Sequence, residues 1–227
     1  MSKSPEQASN EKKLEQKAIG VFGGSFDPIH FGHLRAALEL ALTFGLQSVR
    51  LVPNHQPPHR ASANVSAQHR VAMLELALRQ CEQLQLDTRE LNRAGPSYTF
   101  DTLRSMRKEF GGTTPIIFGL GADAFENISG WYRADELLDL ASIAVLSRPG
   151  TDVDTIALQE LPFAASWVSQ PHALLHKPAG LLYKLEMTPL AISSTGIREQ
   201  IARGWASDFL LPEKVCRYIE RHELYRA

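Results

Sequence analysis

Short apolar runs alternate with amphipathic stretches along this chain from residue 18 onward. Ala18–Phe22, Ser48–Pro53, Leu84–Leu91, Pro115–Leu120, Ser142–Leu146 and Leu181–Met187 have strand character. Between them apolar residues recur at helical spacing. Leu34, Ala37, Leu38, Ala41 and Phe44 mark one face of a first helix, and Val71, Leu74, Leu78 and Cys81 one face of a second over Ser66–Cys81. Tyr98–Phe110, Ser194–Arg203 and Pro212–Arg221 predict three more, the last opened by a proline where proline is tolerated. Strands separated by helices predict an α/β fold: a doubly wound, mostly parallel sheet with helices on both faces and a small C-terminal helical part. Residues 1–17 offer only Leu14 as a large apolar residue past Met1, which predicts a flexible N-terminal extension with no part in the chemistry and a single domain over 18–227. Residues 151–180 have weak periodicity and several prolines, and predict no definite element.

In such sheets ligands bind beyond the carboxyl ends of the strands, at the switch point. Each candidate motif follows a strand end. Foremost is Gly23-Gly-Ser-Phe-Asp-Pro-Ile-His-Phe-Gly-His-Leu-Arg35, where a two-glycine turn joins the first strand to the first helix. Glycines let a backbone approach a phosphate chain, N–H groups at a helix start attract anions, and His30 and His33 add movable donors about one turn apart. It is neither a Walker loop, lacking Gly-Lys-Ser/Thr, nor a dinucleotide fingerprint, lacking the third glycine at its offset. A histidine pair at this spacing is structural in many proteins, and a metal site is a further alternative, but no Cys or Glu lies at supporting spacing. The glycine turn directly upstream favours phosphate contact.

Four more segments carry candidate chemistry. Ile192-Ser-Ser-Thr-Gly-Ile-Arg198 reads either as a hydroxyl-rich helix cap with an exposed arginine, or as a cradle in which Ser193, Ser194, Thr195 and helix N–H groups hold β/γ-phosphates and Arg198 clamps them. Pro53-Asn-His-Gln-Pro-Pro-His-Arg60 is a stiff loop with cationic tips, or a polyproline-type surface connector. Gly119-Leu-Gly-Ala-Asp123 closes an apolar strand with a carboxylate suited to ribose hydroxyls or, equally, to capping a helix. Trp131-Tyr132 and Pro96-Ser-Tyr-Thr99 place aromatic rings where they could stack on a flat heterocycle, or simply pack in the core.

Composition narrows the classes. The 227 residues suffice for a sizeable core, and a net charge of −1 argues against a general nucleic-acid binder. Five of eight histidines (His30, His33, His55, His59, His69) crowd the first third with Arg35, Arg60 and Arg70, which suggests a local anion-binding cleft. Cys81 and Cys216 form no close pair and are expected to be buried free thiols in a reducing compartment. No apolar run reaches the length of a membrane span and no signal-peptide core is present, so a cytoplasmic protein with no membrane partner is expected.

His-x-Gly-His and Ile-Ser-Ser-Thr-x-x-Arg, about 160 residues apart, resemble the two signatures of the nucleotidylyltransferase superfamily. Together with PNHQPPHR, ELNRAGPSYTFDTL, GLGAD, WYRADELL, LSRPG and LLPEKVCRYIERHELYR, they resemble the bacterial nicotinate-nucleotide adenylyltransferase family from about residue 18 to the C-terminus, most loosely over 151–180. Ser25 stands where that family often has threonine. The resemblance implies transfer of AMP from ATP to nicotinate mononucleotide by direct in-line attack on the α-phosphorus, giving nicotinate adenine dinucleotide and pyrophosphate. It implies His30, His33 and Arg198 as catalytic groups. Gly23, Gly24, Ser25, Phe26, Asp123, Ser193, Ser194 and Thr195 would meet ATP. His59, Arg60, Ser97, Tyr98, Thr99, Gly121, Trp131 and Tyr132 would meet nicotinate mononucleotide. Mg²⁺ would be held mainly by ATP phosphates and water rather than by protein ligands. A pantetheine-phosphate adenylyltransferase or a cytidylyltransferase would share His-x-Gly-His, but neither is expected to combine Pro-Ser-Tyr-Thr with Trp-Tyr. A nucleotide sensor without turnover is the alternative from another class. Oligomeric state is not legible.

Overall fold

The computed structural model describes residues 18–56, 63–147 and 166–226. Its strands are β1 (Ile19–Gly24), β2 (Ser48–Pro53), β3 (Leu84–Leu86), β4 (Ile116–Gly121), β5 (Ser142–Ser147) and β6 (Leu182–Glu186). The helices are α1 (Phe31–Phe44), α2 (Ala67–Leu78), α3 (Thr99–Phe110), α4 (Ala122–Phe125), α5 (Leu137–Leu140), α6 (Ser194–Ala202) and α7 (Glu213–Arg221). The strands form one sheet in the order β3-β2-β1-β4-β5-β6, with every neighbouring pair parallel. The chain winds outward from β1 to one side, then returns through α3 to start the other side at β4. The expected doubly wound sheet is therefore present, and its switch point lies between β1 and β4.

Helices cover both faces, so alternate strand residues enter two separate cores. Phe22, Leu51, Ile117 and Ala144 join α1, α2 and α7 on one side, while Val21, Val52, Phe118 and Ile143 join α3 and α5 on the other. Burial on both faces explains why the strands read as continuous apolar runs. Gly20 is required for packing: a Cβ there would lie 2.7 Å from both Leu46 and Val49 side chains. Gly45 ends α1 in the left-handed conformation, φ 59°, its N–H returning to Ala41 and Leu42 carbonyls.

Several boundaries differ from the sequence expectation. In α1 the buried face is Ala37, Glu39, Leu40, Ala41 and Phe44, whereas Leu38 is half-buried. Glu39 turns inward because Thr188, just past β6, donates to it from backbone N (2.9 Å) and hydroxyl. Helix α2 ends at Leu78 and buries Arg70, Met73, Leu74 and Leu78, leaving Val71 half-buried and Cys81 beyond its end. Strand β3 stops at Leu86 rather than Leu91, since Asp87 accepts from the Arg89 backbone N (3.1 Å) and guanidinium (2.6 Å) and turns the chain. The segment 166–180 contains a 3-10 helix at Pro171–Leu175 and a bridge from Trp167 to Leu182. Both cysteines are free, Cys216 buried and Cys81 only half-buried. No helix among the described residues is long and apolar enough to cross a membrane. The N-terminal extension and 151–165 lie outside the described residues.

Candidate active site

Strand β1 delivers Gly24 to the switch point, and residues 25–30 lead from there into α1. His30 is the N-cap of α1, in extended conformation, and its Nδ1 accepts from the His33 backbone N–H at 3.3 Å. A ring accepting at Nδ1 carries its proton on Nε2, the tautomer that leaves Nε2–H as a donor. The His30 and His33 rings stack at 3.7 Å between centroids, inclined by 24°. Gly32 makes that stack possible, because a Cβ there would come within 3.0 Å of His30 Cε1 and Nδ1 and 3.5 Å of the Ile192 carbonyl. The intervening glycine of His-x-Gly-His thus has a steric cause.

The Phe26 ring lies beneath this pair. It is buried, with φ 48°, and meets His33 edge-on at 5.1 Å and Phe22 at 6.1 Å. It supports the histidines from the core. Ser25 faces Asn54, whose Nδ2 donates to its hydroxyl at 3.2 Å, while Asn54 N donates to the Gly24 carbonyl at 3.0 Å.

Arg70, at 2 % exposure, is not part of an open cationic cleft. Its Nη1 donates to the Ser25 carbonyl and its Nη2 to the Asn54 carbonyl, each at 2.8 Å, and ties together the loops leaving β1 and β2. Burial lowers the Arg70 pKa, and the charge of Asp27 opposes that change. Arg35 points outward to Glu39 at 2.5 Å, and His69 bonds Tyr218 of α7 at 2.9 Å. Arg35, His69 and Arg70 are therefore drawn away from the cationic cluster read from the first third, while His30 and His33 stay together. The reason is that arginine and histidine also serve as donors to buried carbonyls and hydroxyls.

The second signature docks directly on the first. Ser193 caps α6 by accepting from Gly196 N at 3.1 Å, and the Ser194 hydroxyl donates to the Pro28 carbonyl at 3.0 Å. Arg198 Nη1 donates to the Asp27 carbonyl at 2.7 Å and its Nη2 to Thr195 Oγ1 at 3.2 Å. Two stretches about 160 residues apart in sequence are thus hydrogen-bonded to each other, with Ser193 and Thr195 exposed and Arg198 half-buried.

Across the switch point, β4 ends at Gly121, where an added Cβ would meet nothing within 4 Å. Gly121 is the N-cap of α4, so Asp123 is not that helix's cap; it lies exposed in the first turn at the sheet's carboxyl edge. Beyond it, the Tyr132 ring (47 % exposed) lies 4.5 Å from the Tyr98 ring at the start of α3. Trp131 is half-buried against the second core, and Thr99 is half-buried at the first position of α3. Arg133, in the left-handed region with φ 53°, lays its guanidinium 3.8 Å over Phe100 and pairs with Glu136.

Ser97 has a structural duty as well. Its Oγ accepts from His55 N (2.8 Å) and Gln56 N (3.3 Å), and its N donates to the Gln56 carbonyl at 2.9 Å. Beside it Glu90 is buried, and Thr102 donates to its carboxylate at 2.6 Å. Burial raises the Glu90 pKa, against hydrogen bonds from Thr102 and Ser97 and the charge of Arg93. His59 and Arg60 lie outside the described residues.

Asp27, Asn64, Glu90 and Tyr225 are residues that sequence reasoning did not single out for the site, and Arg70, read there as part of a cationic cleft, instead braces the two loops from within. Among the described residues, no group of three or more His, Cys, Asp or Glu is arranged to hold a metal ion.

Comparison with known proteins agrees with this geometry. The family model described as cytidylyltransferase-like matches residues 21–200. A Pseudomonas putida (strain W619) protein named "Probable nicotinate-nucleotide adenylyltransferase" is 46% identical over 211 residues, covering 93% of this chain and 96% of its own. A Methylococcus capsulatus protein of the same name is 44% identical over 208 residues, covering 91% and 99%. The solved structure of Plasmodium falciparum nicotinic acid mononucleotide adenylyltransferase complexed with NaAD shares the fold, with a TM-score of 0.71 at 19% identity over 92% of this chain and 97% of that one. The matched span includes His30, His33 and Arg198, the residues that the folded chain gathers at its switch point, and on this evidence the chain belongs to the cytidylyltransferase-like family, among the bacterial nicotinate-nucleotide adenylyltransferases.

Proposed function

We propose that this protein transfers AMP from ATP to nicotinate mononucleotide, forming nicotinate adenine dinucleotide and releasing pyrophosphate. The observation that carries the reading is the direct docking of the Arg198 helix onto the His30 loop, through the Asp27 and Pro28 carbonyls, at the switch point of a parallel sheet. The names of the similar proteins support the choice of acceptor.

An oxygen of the acceptor's 5′-phosphate attacks the α-phosphorus of ATP. The bond from that phosphorus to the α,β-bridging oxygen breaks, and pyrophosphate departs in line. No covalent enzyme intermediate is needed, so catalysis consists of positioning and charge stabilisation. His30 and His33 donate to the α- and β-phosphate oxygens as charge builds there. Arg198, the α6 N-terminus and the hydroxyls of Ser193 and Thr195 hold the outgoing β- and γ-phosphates, while Ser194, whose hydroxyl donates to the Pro28 carbonyl, seats α6 against the His30 loop. Gly23, Gly24, Ser25 and the Phe26 backbone line the nucleotide's approach, with Asp123 set for ribose hydroxyls. Mg²⁺ enters with ATP as part of the substrate, held by phosphates and water.

The acceptor lies toward Gly121, Trp131, Tyr132, Tyr98 and Thr99, with the pyridine ring stacked on Trp131 and the nicotinate carboxylate met by backbone N–H groups and the Thr99 hydroxyl. Ser97 shapes this pocket, and the acceptor phosphate is assigned to His59 and Arg60. The reaction belongs to NAD biosynthesis in the cytoplasm.

His33→Ala tests the assignment of roles. Removing one donor aimed at the developing charge is expected to lower kcat about 10²–10³-fold while the melting temperature stays close to wild type. Near-normal turnover would overturn the catalytic role of His33.

A further inference from the structure

Asp27 is a buried carboxylate (2 % exposed) three residues before His30, and both of its oxygens are engaged. Oδ2 accepts from Asn64 N at 2.7 Å and from Asn64 Nδ2 at 2.9 Å. Oδ1 accepts from the hydroxyl of Tyr225, at the far end of the chain, at 2.7 Å. The carbonyl of the same residue receives Arg198 at 2.7 Å. One residue therefore sets the entry to the His30 loop and seats the arginine of the second signature, and its carboxylate depends on the C-terminal tail.

The tail is built for this contact. Past α7, Glu223 (φ 51°) and Tyr225 (φ 62°) adopt the left-handed conformation that non-glycine residues rarely take, which bends the chain back toward the sheet. Leu224 N donates to the Ile219 carbonyl at 3.0 Å, and both Leu224 and Tyr225 pack on the first core. Burial, then the bond to Asp27, raises the Tyr225 phenol above its ordinary range, so it remains a donor wherever the protein is folded.

We propose that Tyr225 is a positioning residue of the transfer reaction, holding the Asp27 carboxylate so that the His30 loop and Arg198 keep one geometry around the α-phosphorus. It touches no reacting atom. Without its hydroxyl, Asp27 Oδ1 loses its donor in a dry site, and the carboxylate must turn toward other partners, moving the backbone that carries both catalytic elements. Small displacements of that kind cost rate more than binding, since the ground state tolerates them and the transition state does not. The proposal rests on the adenylyl-transfer reading given above.

The test is Tyr225→Phe, with Arg226→Ala as a neighbour control, because Arg226 is exposed and, among the described residues, pairs with exposed Glu223 at 3.2 Å. Initial rates of pyrophosphate release would be measured on purified full-length protein, together with calorimetric binding of a non-hydrolysable ATP analogue and the melting temperature. Tyr225→Phe is expected to lower kcat about tenfold, by analogy with other losses of reactant positioning, with the KM for ATP and the analogue's binding stoichiometry held at wild-type values. Arg226→Ala stays within about twofold on every readout. A Tyr225→Phe kcat within about twofold of wild type would overturn the proposal. So would a loss of rate matched by an equal loss of binding stoichiometry, which would mark the tyrosine as a folding contact alone. The measurement uses whichever acceptor the wild type turns over best, so a wrong acceptor assignment and a failed positioning role remain distinguishable.

Discussion

Glu90 shows how a single residue can pull against the fold while serving the site. Its carboxyl is raised by burial more than Thr102, Ser97 and Arg93 lower it. A raised acid holds its proton more tightly folded than unfolded. Its contribution is therefore fully present below the unfolded value and declines as pH rises through the folded one. The window begins at the ordinary value of 4.5 and extends upward. Glu90→Gln keeps an oxygen to accept from Thr102 and abolishes the buried charge. Thermal denaturation followed across pH should show the variant gaining on wild type as pH climbs from 4.5. A difference that stays constant with pH would contradict the buried-charge account. At the same scale, His30 with His33, and separately Arg198, stood out as candidates because each belongs to a short motif of local spacing and distinctive chemistry. Asp27 and Tyr225 did not, because the contact joining them spans 198 residues and leaves no periodic trace.

Among elements, the sheet keeps its chemistry and its bracing at opposite ends. Every signature follows a strand's carboxyl end, whereas Arg107 of α3 gathers carbonyls near the amino ends of β4, β5 and β6. It donates to Gly111 (3.0 Å), Thr114 (2.5 Å), Leu140 (2.6 Å) and Pro178 (2.7 Å). Arg107→Ala should cost about 2–4 kcal/mol in denaturant titration, the range for losing several charge-assisted bonds, while kcat per folded molecule holds. A large fall in kcat without a loss of stability would contradict this division of labour. The strands and their parallel, doubly wound class followed from alternating apolar runs and helical periods, and five of the six strands fall within a residue or two of their expected bounds. The third does not, because Leu84–Leu91 reads as continuous β pattern until Asp87 captures Arg89 and turns the chain. Likewise the face of α2 was misassigned at Arg70, since hydrophobic periodicity counts an arginine as exposed and has no means of seeing two backbone carbonyls waiting for it. The short helices between Ala122 and Leu140 passed unread because three- and four-residue turns carry too few positions to show a period.

Taken as a whole molecule, the two signatures converge because the winding puts β1 and β4 side by side, while α6 crosses back over the loop that leaves β1. The Tyr98 and Tyr132 rings pair at 4.5 Å, one at the start of α3 and the other in the segment that follows β4. We propose that the two signatures take the triphosphate and that this aromatic pair borders a flat, anionic acceptor, nicotinate mononucleotide. The most direct test is pyrophosphate release from ATP and Mg²⁺ with nicotinate mononucleotide, nicotinamide mononucleotide and phosphopantetheine supplied separately. kcat/KM for the nicotinate acid is expected to exceed that for the amide by about two orders of magnitude or more, because a site built around a carboxylate leaves its donors unpaired when that group is missing. Faster turnover of phosphopantetheine or of the amide, or no turnover with any of the three, would contradict it.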